Sequence, residues 1–210
     1  MYRLFGRTGW GSALIEAQLV WYGRPFEFEE VGDLFKSAEA REALSRVNPL
    51  AQVPTLVLPD GTVMTESAAI TLLLADDAPA ERSLVPPAGT KERAVFLRWL
   101  VFLVANIYPT FTVADDTSRW LTGEGPQKEL RERFGDYRLR LWRQVEASLG
   151  DGPWFLGQRF SALDLYAAVM TRWTPRRPWF AEAAPKLTAI AARTDAVADL
   201  AGVLKRNFPG

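Results

Sequence analysis

Up to about residue 78 the apolar residues of this chain come in short blocks punctuated by Gly, Pro and Asn; from residue 91 they recur at spacings of three and four over long stretches. One regular architecture does not accommodate both patterns, so the chain is expected to join a mixed α/β unit to an all-helical one. The change falls across residues 79–90, where Pro79, Pro86, Pro87 and Gly89 break any period and read as a linker. The division expected is 1–78, a linker at 79–90, and 91–210.

Within the first unit, Tyr2–Gly6 reads as a strand, and Ser12–Tyr22 as a helix with Leu14, Ala17 and Trp21 on one face, ended by Gly23. Pro25–Val31 carries Phe26, Phe28 and Val31 as a second strand, and Asp33–Val47 is a helix stopped by Asn48-Pro49. Thr55–Leu58 and Thr62–Met64 flank Asp60-Gly61, whose tolerance of positive φ marks a tight antiparallel hairpin. The run from Glu66 to about Asp77 is apolar nearly all round and reads as a buried helix. The order is βαβαββα.

Beyond the linker, Lys91–Val113 and Gln127–Leu149 are long amphipathic helices. Ser161 and Asp164 form a capping-box variant, with Phe160 and Leu165 placed to staple across it. Pro185 suits the first turn of another helix, and Thr194 or Asp195 can cap a last one.

With 210 residues, 48% of them hydrophobic, the chain has the means to bury a proper core. Its 25 basic and 25 acidic residues cancel, so no field holds nucleic acid or anionic lipid by charge, and neither is an expected partner. Uninterrupted apolar runs such as Leu100–Ala105 and Ala167–Met170 fall short of the ~20 residues of a membrane span. Met1–Phe5 has no leader-like pattern, which makes a cytoplasmic location the expectation. Zero cysteines and zero histidines remove disulfides, thiolate and imidazole metal sites, a protein thiol nucleophile and a serine-type triad. No metal is expected, and chemistry near neutral pH must draw on hydroxyls, carboxylates, backbone dipoles or a reactive group brought by a ligand.

The segment Asn48-Pro49-Leu50-Ala51-Gln52-Val53-Pro54-Thr55-Leu56, the Asp60-Gly61 turn, and Thr65-Glu66-Ser67-Ala68-Ala69-Ile70 together resemble the glutathione-binding motif of the cytosolic glutathione transferases. The resemblance covers the whole chain. It implies a thioredoxin-like N-terminal domain, an all-α helical-bundle C-terminal domain opened by Ser-x-x-Asp, and glutathione as co-substrate. It also implies a cis Val53–Pro54 bond, which would turn the Val53 amide and carbonyl outward to pair with a bound peptide backbone; on residue physics alone Pro54 reads equally as an edge proline in a trans bond. Glu66 and Ser67 are implied to hold the α-ammonium and carboxylate of the γ-glutamyl end, a carboxylate being at home at a helix N-terminus. Taken alone, Thr65–Ser67 reads as an ordinary cap. Lys36 and Gln52 are candidates for the glycine carboxylate.

Catalysis in such a family is chiefly ionisation of the glutathione thiol, and lowering that thiol's pKa by two corresponds to ~2.7 kcal/mol. The family places a Tyr, Ser or Cys after the first strand to activate it. In Arg7-Thr8-Gly9-Trp10-Gly11-Ser12 the usual serine position falls near Gly9 and the usual cysteine position near Gly11, a departure that leaves Ser12 and Thr8 as candidate hydroxyls. Ser12 reads equally as an N-cap. The electrophile pocket is expected at Trp10, Phe102, Asn106 and Tyr108, since a partner for a thiolate is usually apolar. Three readings stay open: conjugation; a glutathione-dependent reduction, peroxide removal, dehalogenation or isomerisation; and a non-catalytic binding module. A homodimer is implied by the resemblance.

Overall fold

A computed structural model describes residues 1–209. The first part runs β1 (Tyr2–Gly6), α1 (Ser12–Trp21), β2 (Phe26–Glu30), α2 (Ala38–Ser45), β3 (Thr55–Val57), β4 (Val63–Met64) and α3 (Ser67–Asp76). The strands lie in the order β2-β1-β3-β4. The α1 crossover makes β1 and β2 parallel, while β3 runs antiparallel to both β1 and β4. Consecutive residues of β1 serve opposite faces of the sheet: Leu4 packs with Ile15, Leu19, Leu56, Ile70 and Leu74, and Phe5 with Leu34 and Leu44.

α2 is shorter than the expected Asp33–Val47 because two side chains compete for its start. Asp33 folds the preceding turn by accepting from the Phe35 amide at 3.0 Å, and Ser37 caps the helix by accepting from the Ala40 amide at 3.0 Å.

The rest of the chain is helical: α4 (Lys91–Phe102), a π-helical turn (Leu103–Ile107), α5 (Tyr108–Asp115), a 3₁₀ turn (Thr117–Arg119), α6 (Glu124–Ser148), α7 (Ala162–Met170), α8 (Arg177–Ala183), α9 (Pro185–Asp195) and α10 (Ala198–Asn207). The expected single helix Lys91–Val113 thus carries a widened turn, and Pro109 accounts for it. Proline has no N–H to donate back along the helix and its ring crowds the carbonyl four residues before, so the ladder slips by one residue just upstream. The continuous helical stretch Lys91–Asp115, 25 residues, has the length and apolar composition of a membrane span; here Phe96, Trp99, Leu100, Leu103, Ile107 and Phe111 are buried in the helical core.

The expected Ser161–Asp164 box forms, with the Ser161 amide donating to the Asp164 carboxylate at 2.7 Å. Asp164 also accepts from the Phe155 amide at 2.7 Å, tying the preceding loop to α7. Thr194 and Asp195 do not cap the last helix. Thr194 bonds the Ile190 carbonyl at 2.9 Å, Asp195 pairs with Arg172 and Arg177, and the N-cap of α10 is Val197, with no side-chain cap.

The two parts share one core. Ala13, Leu14 and Ala17 of α1 belong to the same apolar cluster as Trp99, Leu163 and Leu200, and α1 packs along both α7 and α10.

Candidate functional site

Strand register brings three connections to one end of the sheet. Phe5 pairs with Thr55, and Leu56 with Met64. The exit of β1, the entry of β3 and the exit of β4 therefore lie side by side, carrying residues 7–11, 48–54 and 65–66 respectively.

The middle connection is ordered by Asn48, a buried residue. Its side-chain amide donates to the Gln52 carbonyl at 3.1 Å and to Thr55 Oγ1 at 3.0 Å, and its oxygen accepts from the Leu50 amide at 3.1 Å. The Val53–Pro54 peptide is cis. Among the described residues no protein group bonds the N–H or C=O of Val53, which stand beside the β3 ladder with both functions free. Gln52 is exposed next to it.

At the third connection Glu66 takes the N-cap position of α3 with φ +63°, a left-handed value that costs a non-glycine residue energy and that functional sites retain. No side chain caps α3. Ser67 is therefore not an ordinary cap: its buried hydroxyl accepts from the Tyr166 hydroxyl of α7 at 2.8 Å, which leaves its own proton for another acceptor. Burial pushes the Tyr166 phenol up to about 12, so it remains a donor. Tyr166 is held in turn by Thr71, which accepts from the Gln18 amide at 2.9 Å.

The first connection is furnished differently. Ser12 is fully buried, and its hydroxyl both donates to the Arg7 carbonyl and accepts from the Arg7 amide, each at 3.0 Å, so it faces the loop behind it and not the cleft. Thr8 points to the outer edge, where its amide and hydroxyl both meet Glu30 Oε2 at 3.2 Å. The two hydroxyls expected to face a thiol are thus engaged elsewhere. The loop is clamped from the helical part at Gly9: Trp173 Nε1 donates to its carbonyl at 2.9 Å, and Asn207 Oδ1 accepts from its amide at 3.1 Å. Asn207 is itself fixed to the buried Glu16 carboxylate at 2.6 Å.

Gly11, the N-cap of α1, is crowded by Tyr108. A Cβ placed on Gly11 would lie 1.8 Å from the Tyr108 hydroxyl oxygen and 3.4 Å from the Val53 carbonyl oxygen. Tyr108 stacks edge-on against Trp173 with ring centres 5.5 Å apart, and Phe111 meets Trp173 at 5.3 Å.

Trp10 is tilted against Phe35 at 5.0 Å and packs on the Phe5, Leu34 and Leu44 side of the sheet, and Lys36, next in sequence to Phe35, is exposed. Phe102 does not join Tyr108; it packs edge-on against Trp99 at 5.1 Å, which belongs to the helical core with Phe155. Asn106 sits within the π turn, half-buried. Of the four expected pocket residues, the geometry thus brings Tyr108 to the glycine-rich loop, packs Trp10 against Phe35, leaves Asn106 half-buried in the π turn and packs Phe102 against Trp99. Tyr166, Trp173 and Asn207 were not singled out by the sequence, and Asn48 entered only as a helix stop and as the first residue of the motif. Asn48 carried a local signal, since an Asn after a helix readily bonds the backbone two residues on; the other three act on partners far away in the chain.

The glutathione S-transferase N-terminal domain family matches residues 15–77. The chain is 39% identical over 207 residues to the uncharacterised GST-like protein YncG of Escherichia coli K12, covering 99% of this chain and 98% of that protein. It is 31% identical over 171 residues to glutathione S-transferase GstA of Escherichia coli O157:H7, covering 81% of each. A solved glutathione transferase homologue from Sulfitobacter with bound glutathione superposes with a TM-score of 0.85 at 24% identity, over 97% of this chain and 96% of that one, a likeness of fold.

Proposed function

Because the chain belongs to the cytosolic glutathione transferase family, we propose that it binds glutathione where the three connections meet and ionises its thiol for attack on a hydrophobic electrophile. The observation that carries this reading is the free N–H and C=O of Val53 beside an uncapped α3 whose Ser67 hydroxyl still has a proton to give. A tripeptide bound as an added strand takes both Val53 bonds through its cysteinyl residue. Its γ-glutamyl carboxylate takes the Ser67 proton and the first-turn amides of α3, while exposed Glu66 faces the α-ammonium. Lys36 and Gln52 are proposed for the glycine carboxylate.

The thiol gives its proton to solvent. The thiolate then forms a carbon–sulfur bond with the electrophile, whose leaving group departs with the bonding pair. The absence of any cysteine favours this direct attack over thiol–disulfide exchange through a protein thiol. Tyr108, Trp173 and Trp10 supply aromatic surface for the electrophile, and Asn106 lies close to Tyr108 in the chain. Pairing with a second copy is part of the proposal, supported by the exposed row Ala94, Arg98, Val101 and Ala105 on the outer side of α4 and the π turn, small and apolar except for one arginine; light scattering should give twice the chain mass.

Calorimetry with glutathione followed by a conjugation assay with a chlorodinitrobenzene substrate tests the function. Saturable binding and turnover are expected. Absence of binding at millimolar glutathione overturns the reading, and binding without turnover removes the conjugating activity while keeping the site.

A further inference from the structure

Resting on the glutathione reading above, we propose that the Tyr108 hydroxyl, supplied by the helical part of the chain, is the group that hydrogen-bonds the glutathione sulfur and stabilises its thiolate. The connection after β1 offers the sulfur no side-chain donor, because Ser12 is buried with both hydrogen-bonding functions engaged by Arg7, Thr8 is turned to Glu30, and Gly9 and Gly11 have none to offer. The place where a side chain on Gly11 would begin is taken by the Tyr108 hydroxyl oxygen. The same point lies 3.4 Å from the Val53 carbonyl, so a cysteinyl residue paired with Val53 carries its sulfur into reach of the phenol. Gly11 is itself the N-cap of α1; the Ala13 and Leu14 amides are taken by the Trp10 and Gly11 carbonyls, so the helix start contributes its dipole beside the hydroxyl. Among the described residues no hydrogen bond engages the Tyr108 hydroxyl, whereas the neighbouring Trp173 Nε1 is taken by Gly9.

The phenol keeps its own proton. Burial raises its pKa well above the usual value, and the neighbouring Tyr166, Asp115 and Glu66 act in the same direction, so it meets the sulfur as a neutral donor, and the thiol proton goes to solvent. A neutral donor facing a thiolate lowers the thiol pKa, because it stabilises the charged form alone. Gly11 is the matching half of the arrangement. Its φ of −59° suits any residue, so the lack of a side chain is required by Tyr108 and not by the backbone.

The test is an ultraviolet titration of the thiolate of bound glutathione in four proteins: wild type, Tyr108→Phe, Gly11→Ala and the double variant. Tyr108→Phe should raise the bound thiol pKa by about one to two and lower kcat/KM near neutral pH about ten- to a hundredfold. Calorimetric affinity for S-methylglutathione, which has no thiol proton, should stay within about threefold. Gly11→Ala displaces the hydroxyl and should reproduce the rise with the tyrosine still present. In the double variant alanine should add little, since the nearest remaining ring atom is 3.1 Å from the new Cβ. If Tyr108→Phe binds glutathione and leaves the thiol pKa where it was, the role of Tyr108 is overturned and the glutathione site stands. If wild type binds no glutathione, both readings fall.

Discussion

The two walls of the cleft are built by opposite means. Along residues 48–55 the chain organises itself: Asn48, Gln52 and Thr55 tie the turn together within seven positions, and Val53 is left free by its own neighbours. Residues 7–11 bring no side-chain hydrogen-bond donor of their own to the proposed sulfur position and are clamped at Gly9 by Trp173 and Asn207, 164 and 198 positions away. The wall proposed to hold the peptide is ordered at residues 48–55 by one segment; the wall proposed to face the sulfur exists only when the helical part is folded onto it. α7 joins the two, since Tyr166 backs Ser67 and Trp173 follows just beyond its end. Recognition and chemistry should therefore separate under mutation.

The sharpest test of that separation is Ser67→Ala. Loss of a hydrogen bond to a charged carboxylate should cost about 2–3 kcal/mol of glutathione binding, roughly a thirty- to hundredfold rise in Kd by calorimetry. If the affinity is unchanged, the start of α3 is not where the tripeptide's carboxylate lies.

A second test acts on α7, which serves both walls. Burial outweighs the two amides and the hydroxyl that Asp164 accepts, and pushes its carboxyl up to about 7. A carboxyl raised in the folded state contributes stability that is fully present below its ordinary pKa and is lost as pH climbs through about 7. Thermal unfolding should show stability falling by about 1 kcal/mol from pH 6 to pH 8. Asp164→Asn should flatten that slope; a slope surviving in the variant places the titrating group elsewhere.

Trp173→Phe probes the borrowed wall by removing the bond to Gly9 while keeping a ring against Tyr108. It should cost about 1 kcal/mol, a three- to tenfold loss of kcat/KM, with glutathione affinity within about twofold. Equal losses in both quantities would mean that the walls are not separable. The smallest effect is expected for Lys36→Ala: an exposed charge facing one end of a ligand is worth under about 0.5 kcal/mol, so calorimetry should find Kd changed about twofold or less.

What the amino-acid order disclosed follows the same division. β1 runs from Tyr2 to Gly6 as its apolar block indicates, the Asp60-Gly61 hairpin forms, and Ser161 and Asp164 start α7, because each signal acts between neighbours. The pairs 53–54 and 66–67 were marked by the family resemblance and not by signals between neighbours, since Pro54 alone reads equally as a trans edge proline and Thr65–Ser67 as a cap; the Val53–Pro54 bond is cis, as that resemblance implies. The place of Ser12 in the chain says that it opens a helix, not which way its hydroxyl turns; the fold-back to Arg7 is decided by the tight packing of Gly6 against it. Phe102 and Tyr108 share one apolar helix in the sequence, yet Pro109 separates their fates. Trp173 and Asn207 carried no local mark, since the Gly9 loop they grip is distant in sequence.

Pro109 has one more consequence. A widened turn advances everything after it by a whole residue, about 100° around the axis. The orientation of the phenol at 108 is therefore indexed in clicks and not graded. Deleting one residue from Leu103–Ile107, or replacing Pro109 so that the ladder closes at its ordinary width, rotates the hydroxyl to another face of the rod at a stroke. Drift at this position offers no half-measures: a descendant of this chain either keeps the slipped register and its phenol at the loop, or must recruit a different group to meet the sulfur.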